Sequence, residues 1–302
     1  MTAGRPDLIC IGSVFIDDIV YPDGRTVMGV LGGGAVHAAA GMAIWGERPG
    51  LAARIGKGTP AYVRPLLEHY FNLEGMSPID YPQIRAWQVF EEDGMRRELL
   101  RVDIAQPFRD GPAPKDLPPS WKAAKGLYLV LDGTNFVRWR NQYPQPQLMW
   151  EPNQPYMVRE HAAEFKKLLM RNDIVSPNLL EARAIYGHLN PESLVREMLA
   201  NGTEIAVLRM AEQGSLVATK ANPTPTHIPA VPIEHIVDVT GAGNAYCGAF
   251  LAGWIRTGDA VQAARWGAVA GSFSLESTGI IDLRRKNLTA ERDRRLKWLE
   301  SR

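Results

Sequence analysis

The sequence has little cysteine, almost no net charge and no long apolar run, and each shortage removes a class of function. Only two cysteines occur in 302 residues, Cys10 and Cys247, both inside apolar stretches. No pair spacing suggests zinc or thiol redox chemistry, so both are expected as buried, reduced thiols. Thirty-four Lys and Arg stand against 33 Asp and Glu, a net charge of +1, which argues against nucleic acid or an anionic membrane held mainly by charge. No stretch approaches the length of a membrane span, and the N-terminus lacks a signal-peptide core. A cytoplasmic, reducing setting is therefore the expectation. The six histidines form no HExxH or close pair, which speaks against a dedicated transition-metal site. G-x-x-x-x-G-K-[ST] is absent, and His37, three residues after Gly34, breaks any dinucleotide fingerprint.

What is present is enough apolar residue, 45%, for a sizeable core. Strand patterns are expected at 7–12, 50–56, 126–131, 147–152, 173–178 and 204–210. Helix patterns are expected at 32–46, 60–71, 156–171, 179–186, 192–200, 242–256 and 259–275. Their alternation predicts a mostly parallel sheet covered on both faces. Two early β-rich stretches break that alternation: one turns at Pro22-Asp23-Gly24, the other at Asp93-Gly94. They suit a small antiparallel lid over a site. The pieces NQYPQPQ and KANPTPTHIPAVP read as surface loops, and the charge-mixed C-terminal stretch as a solvated amphipathic helix.

The stretch DVTGAGNAYCGAF, 238–250, carries the strongest chemical signal. Thr240 is expected to cap a helix whose Gly241-Ala242-Gly243 entry aims free N–H groups at an anion. Asn178 and Glu181 stand at a strand end and the first turn of a helix, where they bind a ligand or simply cap. Glu151 and Asn153 likewise stand at a strand end, and His37 near the start of its helix is a ligand contact or a locally satisfied histidine.

Together and in this order the pieces resemble the ribokinase-like, or PfkB, family of carbohydrate kinases across nearly the whole chain. Gly12 and Asp17 match its opening, Gly32 and Gly33 its glycine pair, and His37 stands in the position of an Asn. Glu151 and Asn153 echo a D-x-N, Asn178 and Glu181 are the N-x-x-E, and Arg209 to Gly214 align with T-L-G-x-x-G. The signature D-T-x-G-A-G-D corresponds to 238–244, ending here in Asn244. A Gly-x-Gly-Asn ending also resembles the fungal maintenance-of-killer type branch.

The resemblance implies one α/β domain over 1–302: a doubly wound, mostly parallel sheet with a small antiparallel β lid. Lid hairpins would lie at about 13–31 and 84–102, and a nucleotide-binding half at about 173–285. It implies ATP and Mg2+, with a monovalent cation as a further candidate. Gly241, Ala242 and Gly243 would form the anion hole, with Asn244 in the catalytic position. Asn178, Glu181, Arg209, Gly214, Asp238 and Thr240 would line the nucleotide, Glu181 also organising the metal indirectly. Asp17, Gly32, Gly33, His37 and Asn153 would face a sugar-like or phosphorylated ligand. A homodimer through the lid is a further expectation.

Asn244 replaces the family's base, and Arg209 and Ala211 replace Thr and Gly; GKG at 56–58 stands where an acidic segment is common. A positioned base is worth about 10²–10⁴-fold, yet phosphoryl transfer rests mostly on positioning and charge. Three readings stay open: an ATP-dependent kinase of a sugar, nucleoside or small polyol; a pseudokinase that binds ligand or partner; and a lyase or isomerase of a phosphorylated compound. His37 is a candidate substitute base.

Overall fold

The chain, described from a computed structural model, is traced over residues 5–92, 96–101, 108 and 110–302. The expected turn at Asp93-Gly94 lies outside these residues. A central strand, β1 (Leu8–Ser13), is apolar and buried at nearly every position, as a strand covered on both faces requires. It leads into β2 (Phe15–Val20) and β3 (Thr26–Gly32), then helix α1 (Gly34–Ala43), β4 (Gly50–Lys57) and α2 (Val63–Tyr70). Next come β5 (Met76–Pro82), β6 (Arg85–Phe90) and β7 (Arg96–Leu100).

From β8 (Gly126–Leu129) strands and helices alternate: α3 (Gly133–Gln142), β9 (Gln147–Trp150), α4 (Ala162–Leu168), β10 (Ile174–Val175), α5 (Leu179–Tyr186), α6 (Pro191–Ala200) and β11 (Ile205–Arg209). A meander, β12 (Ser215–Thr219) and β13 (Thr226–Ile228), precedes α7 (Ala242–Thr257), α8 (Ala260–Leu275) and α9 (Leu288–Glu300).

Nine strands form one sheet in the order β13-β12-β11-β10-β9-β8-β1-β4-β5, parallel except for the β11–β12 and β12–β13 pairs. The other four, β3-β2-β6-β7, form the lid: two antiparallel pairs joined through a parallel β2–β6 contact. The doubly wound sheet and separate lid agree with the expected fold class.

Two expectations fail locally. The helix expected over 156–171 is broken into 3-10 turns at Gln154–Tyr156 and Arg159–His161, leaving α4 only at Ala162–Leu168. Pro155 lies inside the first of those turns and supplies no N–H. The stretch read as a surface loop contains β13, which borrows its order from β12.

Cys10 and Cys247 are buried, free thiols, as expected. Helices α1 and α7 cross on glycines. A Cβ on Gly41 would lie 2.1 Å from the Ala245 carbonyl oxygen, and one on Gly248 would lie 2.0 Å from that of Ala38. Only the missing side chains permit this backbone contact. The seam sets the N-terminal ends of both helices side by side below the lid.

Candidate functional site at the N-terminus of the long helix

Gly241 is the N-cap of α7, at φ +74° and with no side-chain cap. The Thr240 cap is therefore not formed: Thr240 N–H instead donates to Asp238 Oδ1 at 2.8 Å, and the chain enters the helix through a left-handed glycine. The ladder begins with Ala245 N–H donating to Gly241 O at 2.9 Å. The N–H groups of Gly243 and Asn244 thus have no intrahelical acceptor and face outward at the positive end of the dipole.

The glycines leave room for specific neighbours. A Cβ on Gly241 would fall 2.1 Å from His37 Nδ1, so the buried imidazole lies flat against that turn. A Cβ on Gly32 would fall 2.0 Å from Asp17 Oδ2, and His37 Nε2 lies on the same side at 3.8 Å. A Cβ on Gly34 would be 3.3 Å from Asn244 Nδ2. The fold thus gathers Asp17, Gly32, His37, Gly241 and Asn244 from three separate stretches. Gln88 on β6 holds Asp17 from above, donating to Oδ1 at 2.9 Å.

On the other side of α7 stands Arg209. Its Nη2 is 2.8 Å from Glu151 Oε1 and 3.8 Å from Glu181 Oε2, and donates to Ser176 O at 2.8 Å. Its Nη1 meets no acceptor among the described residues and lies against Gly243, where a Cβ would be 1.8 Å away. Burial alone would lower its pKa; the Glu151 and Glu181 carboxylates outweigh that and raise it, so the guanidinium stays charged. Burial raises the Glu181 pKa, opposed by Arg209 and by the Asn178 N–H. Asn178 and Glu181 cap α5 reciprocally, at 2.8 and 2.9 Å.

Tyr128, on β8, was missed in the sequence. Its Oη donates to Glu151 Oε2 at 2.6 Å and accepts from Asn244 Nδ2 at 3.0 Å. Burial and the facing Glu151 carboxylate push the phenol pKa up, keeping it protonated. A tyrosine in an otherwise aliphatic central strand was the available signal, since a buried phenol needs a partner.

Other expected residues serve the surroundings. Asp238 is buried and ties its own turn to Gly279 N–H at 3.5 Å. Gly214, at φ +81°, lets the turn into β12 pass against the Ile228 carbonyl, where a Cβ would be 2.1 Å away. Gly33 caps α1 at φ +106°. Asn153 Oδ1 is buried without a hydrogen-bond partner among the described residues. Lys57 of GKG pairs with Asp80, beside a shallow depression of about 700 Å³ that contains no residue of the α7 entry.

The residues fit a phosphate better than a protein-held metal. Mg2+ wants an octahedron of oxygens, whereas Glu181 accepts from its own helix and faces a guanidinium. Among the described residues no three His, Cys, Asp or Glu cluster as ligands. Two N–H groups free of the helix ladder, with Arg209 Nη1 beside Gly243, by contrast supply donors of the kind a phosphoryl group takes.

A model described as pfkB family carbohydrate kinase matches residues 140–287. The cytidine kinase of Thermococcus kodakarensis is 28% identical over 255 residues, covering 83% of this chain and 89% of its own length. Protein MAK32 of Saccharomyces cerevisiae is 27% identical over 155 residues, covering 45% of this chain and 43% of its own length. An E. coli structure described as a ribokinase II in complex with ATP and Mg2+ has a TM-score of 0.78 at 15% identity, covering 98% of this chain and 100% of that one.

Proposed function

We propose a function from one premise: this chain is a PfkB, ribokinase-like family member. It transfers a phosphoryl group from ATP to a hydroxyl of a nucleoside or related sugar-bearing molecule. The observation that carries the reading is that the free N–H groups of Gly243 and Asn244, Arg209 Nη1 beside Gly243 and the Asn244 side chain all lie in the first turn of α7 or against it. Nucleosides come first as acceptor because the cytidine kinase relative aligns over most of both chains.

ATP supplies the phosphoryl group when bound. The α7 N–H groups and Arg209 hold its charge while Asn244 holds the acceptor hydroxyl under the lid. Such preorganised donors are worth about 10²–10³-fold each. An amide cannot take the proton, so it leaves to water or a phosphate oxygen, and turnover is slower than with a carboxylate by about 10²–10⁴-fold. Mg2+ enters this reading only with the nucleotide.

The test is ADP release from ATP–Mg2+ with cytidine, uridine, adenosine, inosine and ribose offered one at a time. Acceptor-dependent ADP with at least one of them supports the reading. ATP binding by thermal shift with no acceptor-dependent ADP would sink it. That outcome would favour the second reading, a ligand-binding pseudokinase, for which Asn244 itself speaks.

A further inference from the structure

Asn244 has one nitrogen and one oxygen at its tip, and its neighbours decide which goes where. Arg209 Nη2 stands 2.8 Å from Glu151 Oε1, and an ion-paired carboxylate only accepts hydrogen bonds. The Tyr128 phenol, 2.6 Å from Glu151 Oε2, therefore gives its single proton to Glu151. What Tyr128 offers a third partner is a lone pair, so Asn244 turns its NH₂ toward it, at 3.0 Å. The amide oxygen then faces the opposite way. Asn244 is partly exposed, and the side-chain bond it makes to Tyr128 goes through its nitrogen, leaving Oδ1 for a further partner.

We propose that Tyr128 is a positioning residue: by accepting from Asn244 it fixes the amide with its carbonyl oxygen toward the acceptor hydroxyl, and the Arg209–Glu151–Tyr128 chain makes position 244 a place for an amide and not a carboxylate. The proposal rests on the kinase reading for the hydroxyl and on geometry alone for the chain. An aspartate at 244 would set a second carboxylate against a phenol oxygen whose proton is already on Glu151. Two acids would then share one proton, and one of them would have to take up another. Asn244 is thus the residue that the Tyr128–Glu151 pair requires, not a worn-out base.

The charged and titratable groups around position 244 are Tyr128 from β8, Glu151 from β9, Arg209 from β11, Glu181 from α5, His37 from α1 and Cys247 one turn along α7. Arg209 Nη1, a donor without an acceptor among the described residues, lies against Gly243, whereas the atom that position 244 touches is the Tyr128 phenol oxygen, whose proton is already on Glu151.

The decisive set is wild type, N244D, E151Q, the N244D/E151Q swap and Y128F, all as the full chain. Thermal stability is followed from about pH 5 to about pH 8. A carboxylate forced to keep its proton in the folded state loses stability as pH rises, so N244D is expected to fall below wild type by a margin that widens with pH. The swap moves the carboxylate to the other side of Tyr128, which can then donate to Asp at 244. It is expected to recover most of that widening margin.

In assays, Y128F is expected to raise the acceptor KM about tenfold, the scale of one lost orienting hydrogen bond, with the KM for ATP unchanged. A merely structural role would move both constants. N244D with wild-type stability at every pH, or Y128F with an unchanged acceptor KM, overturns the proposal. Should N244D be insoluble, folding of the swap supports the chain and equal insolubility overturns it. The stability arm needs no turnover, so a protein that phosphorylates nothing would sink the kinase reading and leave the chain to be judged by its own measurement.

Discussion

Two arginines, Arg295 buried and Arg209 partly buried, each face two carboxylates, and they end differently. Arg295 on α9 donates through Nε to Glu291 at 3.0 Å, through Nη1 to Ser272 Oγ at 2.8 Å and through Nη2 to Glu276 at 2.8 and 2.9 Å. It also covers the Phe273 ring at 4.1 Å. All three nitrogens are used, and the network closes on α8 and α9. Arg209 puts its bonds on Nη2 and leaves Nη1 open beside the α7 entry. A closed arginine fastens helices; Arg209, held by Nη2, has both Nε and Nη1 without an acceptor among the described residues, and Nη1 is the one beside the α7 entry. Equal charge and a similar pair of carboxylates therefore say little about role, and the unused donor says more.

The largest test of that contrast is removal. Arg209→Ala and Arg295→Ala each leave two carboxylates without their partner, and each is expected to lose about 3–5 kcal/mol in urea unfolding. Only Arg209→Ala should also abolish the thermal shift with ATP. A retained shift would make Arg209 as structural as Arg295. A gentler probe is inorganic phosphate. At tenfold excess over its Kd it should stabilise wild type by about 1.4 kcal/mol, with the gain kept in Arg295→Ala and lost in Arg209→Ala. An equal response in both variants would place the anion elsewhere.

Two residues beyond Arg209, Ala211 sits at φ +52°, a left-handed conformation that disfavours a side chain. Ala211→Gly should gain about 1 kcal/mol, measured by denaturant midpoint, without moving the ATP response. A loss would mean that the methyl group packs usefully.

The smallest effect is at the closed network. The Glu291 carboxyl, bonded to Arg294 and, against partial burial, to Arg295, is held at about 2 instead of 4.5. A depressed acid contributes stability above its ordinary pKa and loses it as pH falls toward the folded value. Glu291→Gln should therefore flatten the acid limb between 4.5 and about 2. Glu181 beside Arg209 is shifted upward by burial, so its contribution runs the other way, weakening as pH rises.

Much of the main sheet could be read ahead because β1, β8 and β11 are continuous apolar runs bounded by Gly, Pro or polar residues. The glycine turns at 32–34 and 241–243 were legible because an anion site and a left-handed entry both ask for them. What escaped has a common cause. β13 spans only Thr226–Ile228 and exists through its pairing with β12, which no local window contains. Helix α3, GTNFVRWRNQ, has weak apolar periodicity and is announced mainly by Asp132, whose side chain accepts from Asn135 N–H. Thr240 looked like a cap because Ser and Thr usually are; the left-handed Gly241 moved the helix start past it. Tyr128 reads as core because its partners, Glu151 and Asn244, lie 23 and 116 residues away.

The glycine seam between α1 and α7 has a kinetic corollary. With Gly41 against the Ala245 carbonyl and Gly248 against that of Ala38, the two helices cannot slide or part without breaking backbone-to-backbone packing where they cross. The glycine loop before α1 and the left-handed turn before α7 are then held together as one block. The small sheet joins that block through Gly32 and Gly33, the latter at φ +106°, so on the kinase reading entry and exit would fall to movement of that sheet. The clock of a catalytic cycle on this scaffold would be set by that strand-to-helix joint, so rates of release should respond to solvent viscosity and to changes at Gly33 before they respond to anything in the helices.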